Sequence, residues 1–356
     1  MKKLSLFVVC LLSLAAAWAQ EVSISQTPSG NALLLAAQGK AAAIVVSSND
    51  AEVVKTVAAC LASDVKAVTG LTPQVKNSIS SGDQPIIAGT LGQSTWIDRL
   101  VADGKIDAGS VEGKWETYGL QMVESPVSGI SRALVVYGST PRGTAYGLFE
   151  LSRLMGVSPY IWWADVTPKH QDALYITGTK TISKEPSVKY RGIFINDEDF
   201  ALFPWASKGI DKQYNNIGPN TYAKVMELLL RLRANTLWPA MHLCSEAFWA
   251  NKANLPVAKK YDIMLGSSHC EQMLRDNEWE WRHAPWNGNN ENWNYVTNKA
   301  QIQQNWEERV AESVGYDGMY TMDMRGVHDW GISGYPSTED KVRGLTEIIA
   351  FQRSLL

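Results

Sequence analysis

The sequence has no basic run, and its 33 Lys and Arg are outnumbered by 36 Asp and Glu, for a net charge of -3. That balance excludes the electrostatic footprint of a nucleic-acid binder. Cysteine is scarce, with Cys10, Cys60, Cys244 and Cys270 making up the full set of four. Their spacing is not that of a metal site. No phosphate-binding glycine loop and no Gly-x-Ser-x-Gly elbow occurs, so no cofactor is implied and no metal is called. Only residues 4–17 form a long apolar run, and it is short for a membrane span.

That run has its own explanation. Lys2 and Lys3 precede it, and Ala17-Trp18-Ala19 follows with small residues where a signal peptidase cuts. Residues 1–20 are therefore expected to be a signal peptide, and the protein to be exported to the periplasm or beyond, with no membrane attachment after cleavage. A buried N-terminal core helix is the other reading. Loss of Cys10 with the signal leaves three cysteines, an odd number that argues against a disulfide framework. One bridge is the most that can form, and buried free thiols are expected.

Tryptophan is abundant, at 14 residues. Its flat apolar face matches the C–H face of a sugar ring, although a large packed core uses tryptophan too.

Two regions alternate strands with helices. In residues 21–180, a β-branched run at 42–46 (AAIVV) predicts a buried strand. Helical spacing then runs through Val53, Val54, Val57, Leu61, Val65 and Val68 to a stop at Gly70. Strands are predicted at 84–88 and 133–136, and a helix at 142–155. This reads as a small accessory α/β domain. Residues 178–188 carry turn chemistry and no apolar period, and are read as a linker. From 187 to 356 four βα units follow: strands at 190–196, 236–238, 262–267 and 318–324, and helices at 222–234, 246–261, 298–314 and 338–355. Four such units predict a parallel sheet, read here as the first half of a (β/α)₈ TIM barrel, truncated within its fourth helix. A four-unit doubly wound sheet satisfies the same alternation.

A (β/α)₈ barrel carries its active site at the C-terminal strand ends. After the first strand stand Asn196, Asp197, Glu198 and Asp199; after the second, Trp238, Met241 and His242. After the third stand Ser267, Ser268, His269 and Glu271; after the fourth, Asp323, Arg325, His328 and Asp329. Polar and ionisable groups at every strand end are what a glycosidase needs, with carboxylates for acid and base and other groups for sugar hydroxyls. Each also has a structural reading. The Asn-Asp-Glu-Asp run could cap the next helix, His269 could sit in the core, and Arg325 with Asp329 could be an ion pair. The loop 279–293, with Trp279, Trp281, Trp286 and Trp293 among asparagines, suits either a polysaccharide surface or a loop packed on its own rings.

In these residues the chain resembles glycoside hydrolase family 115, the xylan α-1,2-glucuronidases. The matching segments are GSTPRGTAYGLFELS at 138–152, WWADV at 162–166, EPSVKYRGIFINDED at 185–199 and LLLRLRANTLWPAM at 228–241. GSSHCEQM at 266–273 and MDMRG at 322–326 complete them. The resemblance implies an inverting hydrolase that releases glucuronic acid or its 4-O-methyl ether from glucuronoxylan, and allows a homodimer of the full-length enzyme. It implies substrate binding by Asp197, a pocket role for His269, and an acid/base role, more specifically that of the acid, for Asp329. Arg325 would pair with the uronate carboxylate, since a guanidinium fork matches it bidentately. Asn196, Trp238 and Trp163 complete the substrate-binding candidates. Cys270-Glu271-Gln272 stands where the family often has His-Glu-Pro, and Val327 where it often has aspartate. A carbohydrate-binding protein without catalysis, and a neighbouring glycosidase such as a hexosaminidase, are the competing readings.

Overall fold

The structure, a computed structural model, describes residues 20–288 and 290–356. The expected signal peptide falls almost wholly on residues 1–19, outside the described residues. Among those described, no helix is long and apolar enough to cross a membrane.

The chain forms a mixed α/β structure with three sheets. The largest has six strands in the order Lys180–Ile182, Tyr118–Glu124, Arg132–Gly138, Ile86–Thr90, Ile44–Val46 and Val75–Lys76. Its last four strands are mutually parallel and its first two pair antiparallel. Ile44, Val45, Ile86, Ile87, Leu134 and Val135 are fully buried. Both faces are covered, as the unbroken apolar runs of these strands require. Helix Glu52–Thr69 packs on helix Pro141–Leu154 over one face. The first ends where Gly70 turns left-handed at φ 77°, a conformation that costs glycine nothing. A smaller antiparallel sheet joins Ser23–Ser25, Leu174–Thr177, Leu33–Ala37 and Lys40–Ala41. The stretch read as a linker corrects the expectation in part: Lys180–Ile182 is the edge strand of the large sheet, paired with Gly119–Gln121.

The third sheet is parallel, with Gly192–Phe194, Thr236–Trp238 and Met264–Leu265 adjacent in chain order. The expected fourth strand at 318–324 is absent as a strand. A single parallel bridge joins Gly318 to Leu265, and residues 319–326 run on without ladder pairing. The helix expected at 246–261 is also shorter, a 3₁₀ turn Phe248–Ala250 and then Leu255–Tyr261. Pro256 in the first helical turn suits a late start, because its missing N–H is an orphan there. The other helices, Pro219–Arg231, Tyr295–Ser313 and Thr338–Ser354, stand close to their expected places.

Leu237 and Leu265 are fully buried. Gly192, Ile193, Phe194, Thr236 and Trp238 line a cavity of about 320 Å³ with Met319. The seam between the first two sheets and the third is ionic. Glu116 accepts from Arg142, Arg191 and Asn235, and Arg231 pairs with both Asp64 and Glu227. Burial alone would raise the Glu116 pKa, but the hydrogen bonds from Arg191, Asn235 and Arg142 outweigh it and hold the carboxyl below its ordinary value.

Candidate active site

Parallel register brings the C-terminal ends of the three strands to one edge. Phe194 pairs with Trp238, and Leu237 with Leu265, so the segments after residues 195, 238 and 265 leave the sheet together. Gly266 is needed there. A Cβ on it would lie 2.2 Å from Trp238 Nε1, so only glycine lets the third strand leave beneath the indole.

Three of the expected residues meet. His269 Nε2 lies 3.2 Å from Asp329 Oδ1, and Arg325 Nη2 donates to the same oxygen at 3.2 Å. The Arg325–Asp329 pair is real, and it also holds a histidine. His269 is 41% exposed, which sets aside the core-histidine reading. Asp329 is 91% exposed and its two neighbours are a guanidinium and an imidazole, so the burial expected around a general acid is not supplied by the described residues. The Arg325 backbone is pinned from behind by Trp293 Nε1, which donates to its carbonyl at 3.0 Å.

Beside this group lies Asp323, counted among the strand-end residues but given no role of its own. Burial raises the Asp323 pKa, with Arg325 and His269 pulling the other way and a hydrogen bond from Gln272. Gln272 also donates to the His269 carbonyl, so one amide touches both segments. Deeper still, Glu271 and Asp276 are buried acids. Burial, reinforced by the Asp276 charge, pushes Glu271 well above its ordinary value, and burial with Glu280 pushes Asp276 up to about 7. Asp276 Oδ1 accepts from the amides of Glu278, Trp279 and Glu280, capping the short helix Trp279–His283. The signal for these acids was present in the sequence as Glu271 next to His269, but periodicity does not say which carboxylates face inward.

The first-strand run does not cap the next helix. Helix Leu202–Trp205 has no side-chain cap. Glu198 Oε1 instead accepts from the amides of Met241 and His242 and from Ser245 Oγ at 2.8–2.9 Å, tying the segment after strand one to the segment after strand two. Asn196 and Asp197 are exposed beside it, and Asp197 is left-handed at φ 59°. Trp238 packs edge-on to Phe194, 5.7 Å between centroids. Trp163 is placed differently, with its ring 5.3 Å from that of Trp205. The tryptophan loop resolves toward packing. Trp281 and Trp293 are buried, 5.1 Å between centroids, and Trp293 continues to Trp306 at 6.1 Å. Cys60, Cys244 and Cys270 are free thiols, Cys270 buried as expected and the other two only half-buried.

Comparison with known proteins follows from this geometry. The model of glycosyl hydrolase family 115 matches residues 183–356. Among solved structures, a family 115 4-O-methyl-α-glucuronidase with specificity for decorated arabinogalactans superposes with a TM-score of 0.80 at 40% identity. That match covers 90% of this chain and 40% of the other, so the chain spans well under half the length of that relative. A mutant Streptomyces plicatus β-hexosaminidase in complex with its GlcNAc product superposes at a TM-score of 0.52 with 12% identity, covering 95% of this chain and 63% of that one. A likeness at that identity concerns the fold alone. No curated protein matched the chain. Four of the six segments that carried the resemblance lie within the matched region, those with His269 and Arg325 among them, two precede it, and the chain belongs to glycosyl hydrolase family 115.

Proposed function

We propose that this chain contributes substrate-binding and acid/base groups to a glycoside hydrolase that removes glucuronic acid, or its 4-O-methyl ether, from a decorated plant polysaccharide. The observation that carries this reading is the convergence of His269, Arg325 and Asp329 on one carboxylate oxygen at the strand-end edge. Arg325 suits the uronate carboxylate, because its planar fork can donate to a second carboxylate bidentately. Asp329 is the general acid, and His269 orients it. Asn196, Asp197 and Trp238 stand along the same edge to meet sugar hydroxyls and a ring face, and Trp163 is retained as a more distant sugar contact.

The third sheet supports a barrel reading. Its strands are parallel, adjacent in chain order and each followed by helix, with the ionisable residues at their C-terminal ends. Residues 187–356 would then form the first part of a (β/α)₈ catalytic barrel, and residues 21–180 an accessory domain. The partner carboxylate and further walls would come from the later strands. They would enclose Asp329, the kind of burial that a general acid working near neutral pH needs. In the inverting mechanism Asp329 protonates the glycosidic oxygen while the partner activates water on the opposite face, the two carboxyls standing roughly 6.5–9.5 Å apart. The basic, apolar and small-residue order of residues 1–20 supports export to where such polysaccharides occur.

The test is glucuronic acid release from glucuronoxylan and from arabinogalactan, by this chain and by a form extended to the length of the family 115 relative. Release by the extended form supports the proposal, and the preferred polymer names the substrate. Release by neither form from either polymer overturns it. In the active form Asp329→Asn is expected to lower kcat by roughly 10²–10⁴. Near-native turnover would remove Asp329 from the acid role. A hexosaminidase reading has only the fold likeness at 12% identity behind it.

A further inference from the structure

A second cluster of donors stands beside the sugar site and takes no part in it. Glu198, Asp199 and His242 offer two carboxylate oxygens and an imidazole nitrogen that lie within 4.8 Å of one another. His242 Nδ1 contacts Asp199 Oδ2 directly and lies 3.6 Å from Glu198 Oε2. Glu198 is fixed in position. Its Oε1 is saturated by two backbone amides and the Ser245 hydroxyl. Its Oε2 is fully buried with no hydrogen-bond partner, while facing the imidazole. A carboxylate oxygen held in the interior without a donor is costly unless a cation meets it.

We propose that Glu198, Asp199 and His242 bind a divalent cation of the zinc class, which ties the segment after strand one to the segment after strand two. One imidazole with two carboxylates suits zinc rather than calcium, which takes six to eight oxygen ligands. Ligands about 2.0–2.2 Å from a tetrahedral ion stand roughly 3.3–3.6 Å apart, the spacing already present between His242 Nδ1 and Glu198 Oε2. Asp199 has only to swing off the imidazole, and at 40% exposure it has room to do so. The Cys244 thiol rests against the Asp199 carboxylate, a soft donor next to the site. Exposed edges of Asp199 and His242 leave a path for entry. The cation would hold the loop that begins at Asp197, without taking part in proton transfer.

The proposal stands independently of the glycosidase reading, and its test uses no sugar. The chain, stripped with a chelator and dialysed, is titrated with Zn²⁺ by calorimetry, and metal content is measured on the untreated protein. One Zn²⁺ per chain is expected. His242→Gln, Asp199→Asn and Glu198→Gln should each weaken binding at least tenfold. His283→Gln, at an exposed ring stacked on Trp279, should leave it unchanged. Glu198→Gln keeps Oε1 as an acceptor, and circular dichroism confirms that each variant is folded. Should Glu198→Gln fail to fold, the exposed pair His242 and Asp199 decide the matter. No binding, or binding that survives both of those substitutions, overturns the site.

Discussion

Strands of seven residues, Tyr118–Glu124 and Arg132–Gly138, pair along their whole length in the first part of the chain. After residue 190 the parallel strands run to three, three and two residues. The two regions also treat their polar groups differently. In the first, two helix starts are closed by neighbours in sequence, Ser94 and Thr140 each accepting from an amide three residues on, as Ser337 also does in the second. In the second, buried polar atoms without partners gather near the strand ends, among them Glu198 Oε2, Gln272 Oε1, Asn277 Oδ1, Asp323 Oδ1 and Arg325 Nε. Met273 and Leu274 there adopt left-handed φ of 55° and 63°, which bulky side chains seldom do. Backbone strain and unmatched polar atoms are the usual marks of a region arranged for binding rather than for its own stability. Under the proposed function the first region is the platform and the second carries the chemistry.

The comparison breaks first at the seam. Arg231, at the end of helix Pro219–Arg231, donates to both oxygens of Asp64 at 2.8 and 2.9 Å and to Glu227 at 2.7 Å. All three side chains are only 4% exposed. Arg231→Ala leaves two buried carboxylates without their cation, and a loss of about 3–5 kcal/mol is expected. Urea unfolding followed by both tryptophan fluorescence and circular dichroism measures it. If the two regions lean on each other, both signals move together to lower urea. If only the signal from the tryptophan-rich second part moves, the seam does not couple them.

A smaller effect separates the regions by pH. Asp276 belongs to the second region, and burial with the Glu280 charge raises its pKa from 3.8 to about 7. A carboxyl whose folded pKa lies above its unfolded value binds its proton more tightly when folded. Its contribution is therefore fully present below about pH 4 and is lost as pH rises through 7. The slope would be on the order of 1 kcal/mol per pH unit across that window. Asp276→Asn keeps an oxygen to accept from the amides of Glu278, Trp279 and Glu280, and should reduce the slope of urea midpoints between pH 4 and 7. An unchanged slope would shift its origin to another acid raised by burial, Glu271 first among them.

Legibility in the sequence followed the same division. Residues 42–46 and the apolar spacing from Val53 to Val68 announce their strand and helix, because one buried face dictates a period that local composition reveals. The strands Tyr118–Glu124 and Leu174–Thr177 passed unread, since a strand is defined by its partner. For the same reason residues 318–324, which look like a strand, are held by one bridge to Leu265. His269, Arg325 and Asp329 were foreseeable from strand-end positions. Trp281 and Trp293 were not decidable, because a loop of rings and amides reads alike whether it packs or binds. Glu198, Asp199 and His242 escaped a search for ligand spacing because 43 and 44 residues separate the histidine from its carboxylates. Only the parallel register of two strands closes that distance.

The smallest effect tests whether the platform is as locally built as it looks. Thr140 Oγ1 accepts from the Gly143 amide at 3.1 Å, and Pro141 fills the first helical position, where a missing N–H is harmless. Thr140→Ala removes one cap and should lower stability by about 1 kcal/mol. The corresponding helix of the second region, Pro219–Arg231, begins at Gly218 with no side-chain cap of its own. There the buried Asp211 reaches across to accept from Gly218, Asn220 and Thr221 amides, at 2.7–3.1 Å. A cap supplied by the neighbouring residue fails alone, whereas a cap supplied from a distant segment fails together with that segment. Thr140→Ala should therefore shift the urea midpoint without altering its steepness, because no more surface is exposed on unfolding than before. A change in steepness would mean that the helix start at 141 is coupled to the rest of the sheet, and the platform would then be no more local than the region it supports.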